Sequence, residues 1–189
     1  AELGLKVTLV GRNKRLLPRE DASVGALIEK ALQASGVRIL LNAQAMSAER
    51  EGTQQRLWVQ HNGETEALGF DFLLLAIGRT ARTKGFGLEA LGIPLASQGT
   101  VATNEYLQTR YPNIYACGDV AGPYQFTHVA AHQAWYAAVN ALFGGIKRFK
   151  ADYRVIPAVT FTHPEVARVG LNQQEALAKG IAFEATRFD

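Results

Sequence analysis

The sequence holds one cysteine, Cys117, among 189 residues. A single cysteine excludes an intrachain disulfide framework and any dithiol centre made by this chain alone. No apolar run approaches the roughly 20 residues that span a bilayer. The opening AELGLKV lacks a charged region followed by an apolar one, so it does not read as a secretory signal. Internal repeats and low-complexity tracts are absent. Net charge is only +3, which gives a nucleic-acid role little compositional support. His128 and His132 stand four residues apart, a spacing that suits a metal, but no further ligands lie near them in sequence. The expectation is a soluble cytoplasmic protein with no metal, no nucleic-acid partner and no membrane.

Hydrophobic content of 48% with 20% charged residues is ordinary for a globular chain, and the length allows one domain or two small ones. Leu5–Val10 (LKVTLV) is a short β-branched run of the kind found in a parallel strand covered on both faces. Gly11 and a basic stretch carrying Arg12, Lys14, Arg15 and Arg19 follow as a loop. Asp21 is placed to cap a helix whose apolar positions Val24, Leu27, Ile28, Ala31 and Leu32 share one face. Ser35-Gly36 ends it, and Val37–Leu41 reads as the next strand. Strand, helix and strand with short loops make a βαβ unit. Ala43–Ala48 and Arg56–His61 then read as strands of an antiparallel meander, with turns at Glu51-Gly52 and Asn62-Gly63. Phe72–Ile77 returns to the buried-strand type and ends at Gly78-Arg79.

Residues 80–108 carry few strong elements and read as a crossover. GFGLEALG at 85–92 has glycines without the spacing of a phosphate loop. Ile114–Cys117 reads as a short strand running into Gly118-Asp119, followed by a Gly/Pro turn and an almost wholly apolar helix. An ionisable group there is costly unless something polar meets it, and the helix N-terminus that follows favours electron-rich groups. A large polar-headed ligand is one reading of that arrangement; a turn Asp is the other. Lys147–Tyr153 is a basic linker and Val155–Phe161 a strand. Asn172 with Glu175 forms a capping box for a helix ending at Lys179-Gly180. The first four residues read as a helix end and the last seven as a strand, so a piece of something longer is expected.

Four stretches carry a resemblance: VTLVGRNKRLLPRED (7–21), DFLLLAIGR (71–79), YPNIYACGDVAG (111–122) with the helix after it, and IPAVTFTHPEVARVG (156–170). In this order they resemble the flavin-dependent pyridine nucleotide-disulfide oxidoreductases, including dihydrolipoamide dehydrogenase, glutathione reductase and mercuric reductase-like members. The resemblance implies an α/β fold in three parts. Residues 1–79 would be an incomplete Rossmann-like NAD(P)-binding domain with the inserted meander. Residues 80–150 would be the C-terminal segment of the FAD-binding domain, and 151–189 the start of an α+β interface, or dimerisation, domain. Neither glycine-rich phosphate loop nor the redox cysteine pair of such enzymes is present, so the chain is expected to be an interior fragment, inactive alone and weak in FAD binding. The intact parent would be a homodimeric enzyme acting on a small-molecule or disulfide substrate.

The same resemblance implies the cofactor contacts. Asp119 matches the residue that accepts a hydrogen bond from the ribityl chain of FAD, with Gly118 before it allowing close backbone approach. Phe126, Thr127 and Val129 fall where the flavin-facing helix begins; Thr127 is alternatively a plain N-cap. Gly78 and Arg79 fall near the nicotinamide half, and Val159 on the nicotinamide side. The family's acidic ribose-binding position is Gly11 here, with Arg12, Lys14 and Arg15 following, and an Arg after this strand accommodates the 2′-phosphate of NADP. Arg12 and Arg15 therefore favour NADPH over NADH, a solvated basic loop being the alternative. No residue is assigned as catalytic. Cys117 reads as a small hydrophobe, the two histidines as packing residues, and His163-Pro164-Glu165 as structural. The alternatives are a flavin-dependent NAD(P)H oxidase or quinone reductase without the redox disulfide, and a non-catalytic oligomerisation module.

Overall fold

The structure is a computed structural model and describes residues 1–188. The chain divides into two compact units, Ala1–Leu75 with Pro157–Asp189, and Ala76–Ile156.

The first unit begins with the βαβ element. β1 (Thr8–Val10) pairs in parallel with β2 (Arg38–Leu40), and α1 (Ala22–Ala34) connects them. Gly25 and Ile28 are the buried residues of α1, whereas Leu27 of the expected apolar face is half exposed. Gly25 has no substitute: a Cβ there would lie 2.6 Å from the Leu16 carbonyl oxygen. Both strands are shorter than the sequence indicates, and Leu5 and Val7 remain exposed. A two-stranded parallel pair covers one edge of each strand only, so its ends are not held in a ladder.

Asp21 occupies the N-cap position of α1, but its carboxylate makes no bond to that helix. Its backbone carbonyl accepts from the Val24 and Gly25 N–H groups. The carboxylate accepts instead from the N–H groups of Gln173 and Gln174, at 3.2 and 2.9 Å.

The meander has three strands where two were expected: β3 (Ala43–Glu51), β4 (Gln54–His61) and β5 (Glu64–Gly69), all antiparallel. In β5 only Ala67 and Leu68 are apolar, so its sequence carries no alternation to read; cross-strand pairing with β4 makes it a strand. The turns at Gly52 and at Asn62-Gly63 adopt positive φ (61°, 53° and 83°), which suits tight hairpins. Leu40, Ala43 and Val59 form the buried centre, with Val10, Leu57 and Leu68 packed against it. Arg38 clamps Glu66 with contacts of 2.7 and 2.9 Å.

The same unit closes with β6 (Pro157–Thr160), antiparallel to β7 (Val166–Val169), and α3 (Gln173–Ala178). The predicted capping box forms: Asn172 accepts from Glu175 N–H, and the Glu175 side chain reaches back to Asn172 N–H. With Asp21 on Gln173 and Gln174, and the Asn172 carbonyl receiving Ala176 N–H, all four N-terminal donors of this short helix are satisfied.

Three expected strands are absent: of the last seven residues, 183–188 form none, and Asp189 lies outside the described residues. Phe72–Ile77 forms none, and Phe72, Leu74 and Ile77 are 95, 89 and 86% exposed. Its composition is that of a buried parallel strand, but among the described residues no segment pairs with it, and hydropathy alone does not make a strand. Ile114–Cys117 is extended without being a buried strand. It holds a single antiparallel bridge, Gln108 to Tyr115, with Thr109 N–H on the Ile114 carbonyl and Ala116 N–H on Leu107.

The second unit is built on α2 (Thr127–Phe143). Its buried residues are Val129, Gln133, Ala137 and Asn140, a stripe at helical spacing that includes two amides. Each amide ties a loop down. Asn140 accepts Phe149 N–H at 2.8 Å and donates to the carbonyls of Phe149 and Tyr106. No helix among the described residues is long and apolar enough to cross a membrane.

Candidate functional site

Cys117 is extended, and the next three residues, Gly118–Val120, form a single 3-10 turn. Gly118 has φ 79° and is buried, and a Cβ there would lie 3.2 Å from the Ala130 Cβ on α2. A side chain would therefore meet both backbone strain and a tight contact. The turn holds Asp119 at the surface with its side chain 50% exposed. Arg79 reaches toward it, Nη1 to Oδ2 at 4.0 Å, while Nη2 donates to the Gln125 carbonyl at 3.1 Å. So exposed a pair contributes little stability. What it does is hold an acceptor beside a donor at a solvent-facing edge. Gly78, just before Arg79, is exposed with φ 136°.

The N-terminus of α2 stands in the same unit. Its N-cap is Phe126, which offers no side-chain cap, and the first turn has no acidic residue. Thr127 is the first helical residue and is exposed, so it is not the N-cap. The positive end of the helix dipole therefore meets no acidic residue within its own first turn. The Phe126 ring stacks between Tyr124 at 6.3 Å and His128 at 5.3 Å. Val129 is fully buried and anchors the helix rather than facing solvent.

One residue that sequence reasoning passed over organises this region. Gln133 is fully buried; its amide oxygen accepts Gly118 N–H, and its amide nitrogen donates to the Gly122 carbonyl and the Tyr153 hydroxyl. Both ends of the Gly118–Gly122 turn are thereby fastened to α2. Burial pushes the Tyr153 phenol up from its ordinary value despite the bond from Gln133. The available signal was a glutamine one helical turn after Val129 and two before Asn140, on the inward stripe. His132 contacts the Asp152 carbonyl through Nε2 at 2.9 Å and packs edge-on to Tyr136. The Arg154 guanidinium holds the Asp152 carboxyl down at about 2.

The remaining predicted residues lie in the other unit. Arg12 is exposed, in the loop between β1 and α1, and no hydrogen bond or ion pair engages it among the described residues. Arg15 differs. Its Nη1 donates to the Glu20 carbonyl, and its Nη2 to the Pro18 carbonyl and the Gln174 side chain. Its guanidinium braces the loop from within the chain. Val159 is on β6 and 39% exposed.

The family model for pyridine nucleotide-disulphide oxidoreductases matches residues 1–134, and that for their dimerisation domain matches 156–189. The chain belongs to the pyridine nucleotide-disulphide oxidoreductase family. It is 38% identical to a mercuric reductase from Staphylococcus aureus over 178 residues, covering 94% of this chain and 32% of that one. A dihydrolipoyl dehydrogenase from Chlamydia muridarum is 35% identical over 186 residues, covering 98% and 38%. Among solved structures, LpdA from Mycobacterium tuberculosis superposes with a TM-score of 0.83 at 34% identity, over 96% of this chain and 38% of that one. The HOCl-induced flavoprotein disulfide reductase RclA from Escherichia coli, in its Cu(II) complex, gives 0.81 at 31% identity, over 93% and 39%. The chain spans about a third of the length of the curated relatives it matches. The four sequence stretches and their order thus identified the family correctly.

Proposed function

We propose that this chain is an interior segment of an FAD-dependent oxidoreductase that draws reducing equivalents from NADPH and passes them to a disulfide or another acceptor. In this reading residues 1–79 belong to the NAD(P)-binding domain, 80–150 close the FAD-binding domain, and 151–189 begin the domain through which the parent forms a homodimer. The observation that carries it is the pairing of an exposed carboxylate on a positive-φ glycine turn with a helix N-terminus whose first turn holds no acidic residue, in a chain of this family. Asp119 accepts from a hydroxylated chain, Gly118 lets that chain approach the backbone, and the start of α2 at Thr127 faces an electron-rich ring edge. Arg79 completes the polar edge and Gln133 keeps the turn in place. FAD, when bound, supplies the hydride-accepting ring; the protein binds it, orients it and excludes water.

Arg12 supports the choice of NADPH. A guanidinium pairs with a phosphate through two parallel hydrogen bonds, and Arg12 follows β1, at the carboxyl end where open α/β sheets bind ligands. Two substitutions in the full-length protein test the reading. Asp119→Ala is expected to lower FAD affinity by about tenfold or more, the worth of a hydrogen bond to a charged group, measured as flavin retained on dialysis. Arg12→Ala is expected to raise the KM for NADPH while leaving that for NADH nearly unchanged. Equal losses with both nucleotides would exclude a 2′-phosphate role for Arg12.

A further inference from the structure

The loop between β1 and α1 is fastened at many points, and most of the fastenings come from residues more than 140 positions away. On the near side, the carbonyls of Gly11 and Asn13 accept the N–H groups of Ala43 and Asn42, both at 3.0 Å. On the far side the partners belong to the segment around β7 and α3. Arg15 donates to the Gln174 side chain, and that amide donates back to the Pro18 carbonyl. Asn172 donates to the Arg19 carbonyl at 2.7 Å, and Asp21 caps α3 through the N–H groups of Gln173 and Gln174. The centre is Arg168. Its Nε meets the Glu20 carboxylate at 3.1 Å, its Nη1 and Nη2 grip Glu175 at 2.8 and 3.0 Å, and Nη1 also donates to the Gly170 carbonyl. The side chains of Arg168 and Glu20 are 23 and 14% exposed, so this ion pair is shielded from water far more than an ordinary surface pair. Between the two sets of fastenings, Arg12 and Lys14 are exposed and have no partner among the described residues.

We propose that Arg168 is a positioning residue for the cation pair Arg12 and Lys14, so that the segment carrying β7 and α3 sets how strongly the loop discriminates a 2′-phosphorylated nucleotide. The inference rests on the reading of Arg12 given above and adds a second determinant to it. Arg168 touches no nucleotide; it acts by fixing the backbone of the 15–21 stretch through Glu20, while Asp21, Arg19 and Arg15 hold the same stretch against α3. A guanidinium fork must meet phosphate oxygens at set distances and angles. A loop released at its far end would spread its two cations over many positions and lose ordering entropy on binding. Recognition of the adenosine part, which does not need those two cations, would be spared.

The test uses the full-length protein containing this chain, with adenosine 2′,5′-bisphosphate and adenosine 5′-monophosphate as probes in titration calorimetry. Arg168→Gln is expected to weaken the bisphosphate by about tenfold, the scale of a lost charge-assisted bond, and to leave the monophosphate unchanged. Arg168→Lys, which keeps the charge but not the fork, is expected to recover part of the loss. Gln174→Ala lies on the exposed surface and removes only its bonds to Arg15 and Pro18; it is expected to give a loss in the same direction of about threefold. If Arg168→Gln does not fold, Gln174→Ala decides. An unchanged preference for the 2′-phosphate in these variants, with Arg12→Ala still abolishing it, overturns the positioning role alone. If the unmodified protein shows no such preference and Arg12→Ala is silent, the NADPH reading fails and the positioning role falls with it.

Discussion

Gln133 shows how much one side chain holds. It accepts from Gly118 and donates to Gly122 and Tyr153, all in a buried setting. Replacing it by leucine keeps the volume but leaves a backbone donor, a backbone acceptor and a phenol without that partner. Unmet buried polar groups cost about 1–3 kcal/mol each. Gln133→Leu is therefore expected to destabilise the chain by about 3 kcal/mol, read from urea unfolding of the 189-residue chain; a loss below about 1 kcal/mol would show that the turn holds itself. The consequence for function follows from position. Gly118 and Asp119 are placed by this amide, so their geometry depends on a residue that touches no ligand. In the sequence Asp119 stood out because a charged residue follows an apolar run, whereas Gln133 did not. Its role depends on what lies opposite one helix face, and that is decided by folding.

At the level of the element, α3 is the instructive case. Six residues are too few for an independent helix in water. It persists because its N-terminal donors are met by Asn172 and by Asp21 from the other end of the chain. The capping box was legible because both its members lie within four residues. The Asp21 contribution was not, since an Asp before an apolar helical pattern normally caps that helix. Substitution separates the two. Asn172→Ala is expected to cost about 1 kcal/mol and to speed amide hydrogen exchange first at Glu175, whereas Asp21→Ala is expected to speed it first at Gln173 and Gln174. Uniform acceleration over 22–34 in Asp21→Ala would instead show that Asp21 serves α1. The missing strand at Phe72–Ile77 makes the converse point. Its residue pattern is that of a strand, yet it lacks a ladder partner among the described residues, and exposure of Phe72 and Ile77 follows.

Across the first unit, the Glu20–Arg168–Glu175 cluster joins the beginning of the chain to its end and is expected to make stability depend on pH. The Arg168 guanidinium holds the Glu175 carboxyl below its ordinary value near 4.5, with burial opposing. A depressed carboxyl contributes its stability above the unfolded value and loses it as pH falls through the folded value. The advantage of the unmodified protein over Glu175→Gln is therefore expected to be full at neutral pH and to shrink below 4.5, measured as the difference in Tm across a pH series. A constant difference would mean that the pair contributes packing but not charge. The ion pair also joins the stretch matched by the dimerisation model to the loop that carries Arg12. Neither part of the sequence alone indicates that they meet.

By itself the sequence determined what depends on neighbours a few residues apart. It indicated the helical spacing of α1, the glycine turns of the meander, the capping box of α3, the Gly118-Asp119 turn before α2, and the ordered motifs that place the chain in its family. Those features arise from backbone stereochemistry and short-range hydrogen bonding, which every local stretch carries with it. The tertiary structure alone decided which of the expected strands pair, that Asp21 caps a helix 152 residues away, that Arg15 is occupied while Arg12 is free of partners among the described residues, that Gln133 fastens the Gly118–Gly122 turn, and that Arg168 joins Glu20 to Glu175. Each of those outcomes depends on a partner distant in sequence, and a polar side chain takes its role from whichever unsatisfied group folding brings within about 3 Å.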